Sequence, residues 1–267
     1  MTATANKKAD PQPASPARSG NRAPNQLRPV KITLDYLEFA DGSALIEMGR
    51  TRVLAAATID ERVPPFLKNT GRGWVTAEYA MLPRSTGDRT PRERMPGRVS
   101  GRTHEIQRLV ARALRSVTDL RALGERQIII DCDVLQADGG TRAASITAGC
   151  VALGLALKKM LDDGLIDHMP LRHLVAGVSV GIVRGVPLLD LDYEEDFRAD
   201  LDMNVVETDR GELVEVQAGA EKNPFSRQEL LRLLKLADRG VAKLIRVQKD
   251  ALKKKSILFM AYGYQDK

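Results

Sequence analysis

At 267 residues the chain can bury a substantial core, in one domain or two, and with only 4% aromatic residues that core must be mostly Leu, Ile, Val and Ala. The formal net charge of +6 is moderate, yet arginine is concentrated between residues 84 and 115, a clustering that suits phosphate or nucleic acid. No apolar run is expected to reach the roughly 18 residues of a membrane span, and the N-terminus has no apolar signal core, so a cytoplasmic protein is expected.

Residues 1–25 are rich in Ala, Pro, Ser, Asn and Lys, with almost no large apolar side chain. Such a segment cannot offset its ordering entropy by burial, so a disordered tail is expected. Order should begin near Gln26-Leu-Arg-Pro-Val30. Residues 31–37 alternate, Asp41-Gly42 is a hairpin signal, and residues 43–48 alternate again before Gly49-Arg50 turns into a strand over 51–59. Three consecutive antiparallel strands open an α+β fold rather than a βαβ one. A basic loop over 64–73 leads to another strand over 74–81.

Residues 82–101 have no hydrophobic period and are broken by Pro83, Pro91 and Pro96. They carry Arg84, Arg89, Arg92, Arg94 and Arg98, and a long loop of this kind is usually functional. From Arg102 the period is helical, with Ile106, Leu109, Val110, Ala113 and Leu114 on one face. Arg102 therefore sits at a helix start, an end that favours anions. Arg108, Arg112 and Arg115 fall on the other faces.

Residues 127–134 are β-branched and continuous, the pattern of a buried strand. Asp138-Gly139-Gly140 is a turn that permits positive φ and close backbone approach. An Ala-rich helix follows to Leu157, placing Thr141 and Arg142 at its N-terminus, where free N–H groups and a guanidinium fork suit an anion. Cys132 and Cys150 lie inside these apolar elements without a spacing motif, which fits a reducing compartment and no disulfide framework. Beyond Gly164 and Pro170, residues 174–183, 187–191, 203–208 and 212–216 read as strands. Ser226 with Glu229 forms a capping box for an amphipathic helix to about Leu252. Strands then helices occur twice, which indicates two similar α+β halves in one compact unit.

The second half holds a carboxylate cluster: Asp190, Asp192, Glu194, Glu195, Asp196, Asp200 and Asp202. Asp196 and Asp202 lie six residues apart across a short turn and can converge to hold Mg²⁺ or supply a general acid. An arginine-rich anion site in one half and an acidic site in the other is the pairing that phosphoryl transfer needs. No Walker A sequence, zinc-ligand spacing or nucleophile elbow is present, and His104, His168 and His173 form no constellation.

Long motifs resemble the ribonuclease PH family of phosphate-dependent 3′→5′ exoribonucleases. They are Asn25-Gln-Leu-Arg-Pro-Val30, Gly73-Trp-Val-Thr-Ala-Glu-Tyr79 with Met81-Leu-Pro-Arg84, Gly101-Arg-Thr103 with Glu105-Ile-Gln-Arg108, Asp131 to Arg142, Asp202-Met-Asn204 and Pro224-Phe-Ser-Arg227. The resemblance covers about residues 26–252. It implies the duplicated α+β fold of the ribosomal protein S5 domain 2-like type. It divides the chain into a tail over 1–25, a catalytic domain over 26–255 with halves of about 26–160 and 171–255, and a tail over 256–267. It further implies that phosphate attacks the last phosphodiester of RNA and releases a nucleoside diphosphate. By the same resemblance Arg102, Gly140, Thr141 and Arg142 bind phosphate, while Asp196 and Asp202 hold Mg²⁺ or protonate the leaving oxygen. Arg84, Arg89 and Arg92 join subunit contacts and RNA handling, and Arg115 is a further RNA-side candidate. The implied assembly is a homohexamer, a trimer of dimers; the implied substrate is the 3′ end of precursor transfer RNA, with neither DNA nor membrane as a partner. The alternative is a catalytically silent RNA-binding ring subunit. The chain departs from the family at Arg18-Ser-Gly-Asn-Arg22 and at Ala218-Gly-Ala-Glu-Lys222, where Lys222 replaces a glycine.

Overall fold

The structure is a computed structural model that describes residues 18–92 and 99–257. Arg94, Pro96 and Arg98 of the expected loop lie outside those residues, as do 1–17 and 258–267. The first three strands form the expected antiparallel meander: β1 Val30–Leu34, β2 Gly42–Met48 and β3 Thr51–Asp60. β4 Trp74–Met81 leads into α1 Gly101–Ser116, and β5 Gln127–Gln136 inserts between β3 and β4. β5 runs antiparallel to β3 and parallel to β4, because α1 supplies the crossover a parallel pair requires.

α2 Thr141–Asp162 follows, then the second half: β6 Val175–Val183, β7 Val186–Leu189, α3 Tyr193–Phe197, β8 Leu201–Thr208, β9 Leu213–Ala220 and α4 Arg227–Lys253. The second sheet is wholly antiparallel in the order β7-β6-β8-β9. α2 lies between the two sheets, touching β2, β3 and β5 of one and β6 of the other, so a single apolar core runs through both halves. Its small residues let backbones approach closely. A Cβ at Gly42 of β2 would come within 2.3 Å of the Ala152 carbonyl oxygen. α2 also corrects one expectation, since by length and composition it is apolar enough to cross a membrane. It is buried in this core instead. The Ser226–Glu229 capping box opens α4 as expected.

The expected tail over 1–25 needs a larger correction, because residues 18–25 are placed and two of their side chains are buried. Arg18 donates to Glu195 at 2.7 and 2.8 Å and to the Leu189 carbonyl at 2.8 Å. Arg22 reaches Glu195 at 3.2 Å and the Asp190 carbonyl at 2.9 Å. Arg28 forks onto Asp190 at 2.6 and 3.0 Å and also bonds the Asp138 and Gly139 carbonyls. Asp192, the third carboxylate, accepts from Ser19 at 2.6 Å and from Arg22 at 3.5 Å. All six charged groups are buried. Three guanidiniums thus meet three carboxylates, and charge pairing orders a segment that has no apolar surface to bury.

Removing one partner strands a buried charge. Asp190→Asn should therefore destabilise the fold by about 3–5 kcal/mol in denaturant melts. Removing the exposed Arg198–Glu194 pair should leave the midpoint almost unmoved. Equal, small effects of both would show that the network carries no stability.

Candidate active site

The turn before α2 is built for close approach. Gly139 and Gly140 have φ of 77° and 70°, and a Cβ at Gly139 would lie 2.6 Å from the Leu191 carbonyl oxygen. Thr51 Oγ1 donates to the Gly139 carbonyl at 2.7 Å and accepts from the Asp138 N–H at 3.0 Å. With Arg28 it holds the turn from behind. α2 then begins at Thr141 with Gly140 as its N-cap, and no side chain caps it. Its first N–H groups are thus left for an anion. The Thr141 hydroxyl is not loose: it shares a 2.9 Å hydrogen bond with the buried Tyr79 hydroxyl.

Two arginines flank this helix end. Arg142 stands on the first turn of α2, held by Gln217 of β9 and by Glu105 of α1 at 3.6 Å. Arg102 is exposed on the first turn of α1, whose own N-terminus is closed by Ser100 accepting from the Thr103 N–H at 3.2 Å. The second half supplies the carboxylates. A capping box of Asp192 and Glu195 fixes the start of α3, and the same two residues face the buried arginines. That anchoring sets the position of Asp196, while Asp202 projects from β8.

One cleft of about 760 Å³ gathers Arg102, Gly140, Thr141, Arg142, Asp196 and Asp202. Enclosure raises the Asp196 carboxyl above the usual carboxylate range, reinforced by Asp202 and partly offset by Arg102 and Arg142. Enclosure and Glu221 raise Asp202 likewise. The rest of the acidic cluster divides. Asp190, Asp192 and Glu195 belong to the arginine network, Glu194 pairs with Arg198, and Asp200 pairs with Lys222 at 2.7 Å. The Lys222 bond holds the Asp200 carboxyl below its ordinary range. Lys222, the departure at the end of β9, therefore closes its turn with an ion pair at the cleft edge.

The remaining arginines do not join the cleft. Arg84 bonds the Gly87 carbonyl at 2.8 Å, and Arg84, Arg89 and Arg92 are exposed. Arg92 lines an adjoining cavity of about 720 Å³ that shares Met81 and Arg102 with the cleft. Arg115 sits elsewhere: its guanidinium stacks 4.2 Å from the Trp74 ring centroid and donates to the Val75 carbonyl at 2.8 Å. Sequence reasoning also assigned no role to Arg28, Thr51, Tyr79 or Gln217, all of which orient the anion turn or its arginine. Arg28 and Tyr79 lie within the quoted motifs, so their position was legible although their task was not.

Comparison with known proteins places this geometry. Residues 26–158 match the first domain of the 3′ exoribonuclease family and residues 173–240 match the second. The chain is 57% identical over 235 residues to ribonuclease PH of Solibacter usitatus (strain Ellin6076), covering 88% of this chain and 99% of that protein. The fold also resembles the Archaeoglobus fulgidus exosome with RNA bound to the active site, at a TM-score of 0.74 and 23% identity over 86% of this chain and 91% of that one. Rrp46 of rice (Oryza sativa) matches at a TM-score of 0.68 and 22% identity, over 89% of this chain and 99% of that one. The two structural matches speak for the fold, whereas identity above one half across nearly the whole of both chains speaks for the family: this chain belongs to the ribonuclease PH family of phosphorolytic 3′→5′ exoribonucleases.

Proposed function

We propose that the protein trims the 3′ ends of precursor transfer RNA and other RNAs, releasing nucleoside 5′-diphosphates. What carries this reading is the meeting in one cleft of an uncapped helix end, two arginines and a carboxylate pair from the opposite half. Inorganic phosphate sits at the α2 N-terminus between Arg102 and Arg142. One of its oxygens attacks the last phosphorus of the chain, and the bond from that phosphorus to the penultimate 3′-oxygen breaks. The bond formed and the bond broken are alike, so the reaction runs in both directions.

The leaving 3′-oxygen needs a proton or a cation. Asp196 and Asp202 fit Mg²⁺, which commonly takes one or two protein carboxylates and completes its shell with water and substrate phosphate oxygens. Burial first, and the neighbouring carboxylates Asp202 and Glu221 after it, raise their proton affinity, a setting that a cation would relieve. Among the described residues no group of three or more His, Cys, Asp or Glu forms a fuller cage. Magnesium bound there would offset the charge that develops on the leaving oxygen. The carboxyls themselves orient the RNA end, and the same raised affinity equips either of them to deliver a proton.

We also propose a cytoplasmic homohexamer assembled as a trimer of dimers, with Arg84, Arg89 and Arg92 at subunit contacts and RNA. Support comes from their exposure on one loop beside the cleft and from two buried, unpaired cysteines. Replacing Arg89 and Arg92 together by Ala should shift light scattering towards dimers and weaken RNA retention. An intact, fully active hexamer would refute the loop's role.

The chemistry has a direct assay. With Mg²⁺ and a 3′-tailed RNA, diphosphates should appear only when phosphate is added, and excess diphosphate should extend the RNA. Monophosphates released at equal rate without phosphate would contradict the mechanism. Arg102→Ala and Arg142→Ala should each weaken apparent phosphate affinity by about one to two decades, with little effect on RNA binding.

Asp202 adds a pH signature. Its folded-state carboxyl titrates above the unfolded value, so its contribution to stability is full when protonated and is lost as pH rises through the folded pKa. Asp202→Asn should therefore raise the melting temperature at neutral pH, with the gain vanishing in acid. Turnover should fall by about two decades or more. Near-normal turnover at saturating Mg²⁺ would remove Asp202 from the chemistry.

A further inference from the structure

The cleft carries one feature that phosphate chemistry does not use. Tyr193 and Phe197 stand one turn apart on α3, on the face that also borders Asp196. Both line the cleft, and among its described lining residues they are the only aromatic rings. They are 57% and 77% exposed. Their centroids lie 6.2 Å apart with 23° between the planes, so they present two near-parallel faces. Neither ring contributes to the hydrophobic core.

The RNA end that enters this cleft has three chemical parts. Its phosphates match Arg102, Arg142 and the helix end, and its scissile linkage matches the carboxylate pair. Its bases find no aromatic face among the described lining residues but these two rings; the other apolar side chains there, Met81, Ala137 and Ala199, offer no π face to stack on. An exonuclease that removes each nucleotide in turn must hold every base without reading it. Stacking on an aromatic face does this, because every base has a π face. We propose that Tyr193 and Phe197 form a stacking platform for the nucleobases at the RNA 3′ end. Seated there, the terminal nucleotide is positioned over the carboxylate pair. This inference rests on the phosphorolytic reading of the same cleft and adds its recognition of the base.

The test pairs a modified RNA with two protein variants. On the wild-type protein, an RNA whose last two nucleotides lack their bases should show a KM raised about tenfold or more, with the phosphate KM unchanged. Tyr193→Ala with Phe197→Ala should raise the KM of ordinary RNA by a similar factor and no longer distinguish the abasic substrate. Phe197→Trp, with Tyr193 intact, should retain wild-type behaviour. RNA binding measured without phosphate should follow the same pattern, so a failure of phosphorolysis itself would be told apart from a failure of the platform. The idea is overturned if wild-type protein binds abasic and ordinary ends equally. It is also overturned if the double variant still discriminates between them, or if its loss tracks a change in oligomeric state. Both rings are exposed, so their removal leaves no cavity, and the wild-type comparison needs no variant at all.

Discussion

Three guanidinium groups buried near one another must find three counter-charges, and in this protein those come from the far half of the chain. Arg18, Arg22 and Arg28 lie before the first strand, while Asp190 and Asp192 lie between β7 and α3 and Glu195 lies on α3 itself. Desolvation makes each charge costly alone, so the two segments are acceptable inside only when they are together and in register. The network touches both arms of the cleft. Arg28 bonds the carbonyls of Asp138 and Gly139 behind the anion turn, and Glu195 belongs to the capping box that orients α3 and Asp196. The anion turn and the acidic pair thus share one buried support.

The cleft in front of that support holds charges of both signs at close quarters. Arg102 and Arg142 lower the proton affinity of Asp196, yet enclosure and the second carboxylate leave it raised. Crowding of this kind costs stability in the resting protein and is relieved when charge develops on substrate or a cation enters. Arg142 is held in turn by Gln217 and Glu105, so α1, α2 and β9 together fix the direction of its guanidinium fork. A ligand in the cleft meets groups already oriented by other parts of the fold, which is the condition for electrostatic catalysis.

Much of this was legible in the sequence. Period and turn chemistry located nearly every strand, and the Asp138-Gly139-Gly140 turn with Thr141 and Arg142 at a helix start stands as read. The readings that fell short have physical causes. Residues 18–25 read as disordered because hydrophobicity was the only ordering force considered, whereas Arg18 and Arg22 order them through buried charge. α3 is five residues long, too short to show a period, so the acidic run looked like one loop. In fact that run divides among the arginine network, exposed ion pairs and the cleft. Arg115 was an RNA-side candidate only through the family resemblance; in the fold its guanidinium stacks over Trp74, away from the cleft. Spacing gives the face of a helix and not the partner that waits there.

The Arg28 fork onto Asp190 holds the Asp138-Gly139-Gly140 turn, the proposed seat of phosphate, from behind. Arg28→Lys keeps the charge but cannot bond Asp190 and the two turn carbonyls at once. The decisive measurement is the phosphate KM of that variant once circular dichroism has established that it is folded. A rise of about tenfold, with RNA affinity little changed, is the expected result. A folded Arg28→Lys protein with an unchanged phosphate KM would show that the fork does not shape the turn for phosphate.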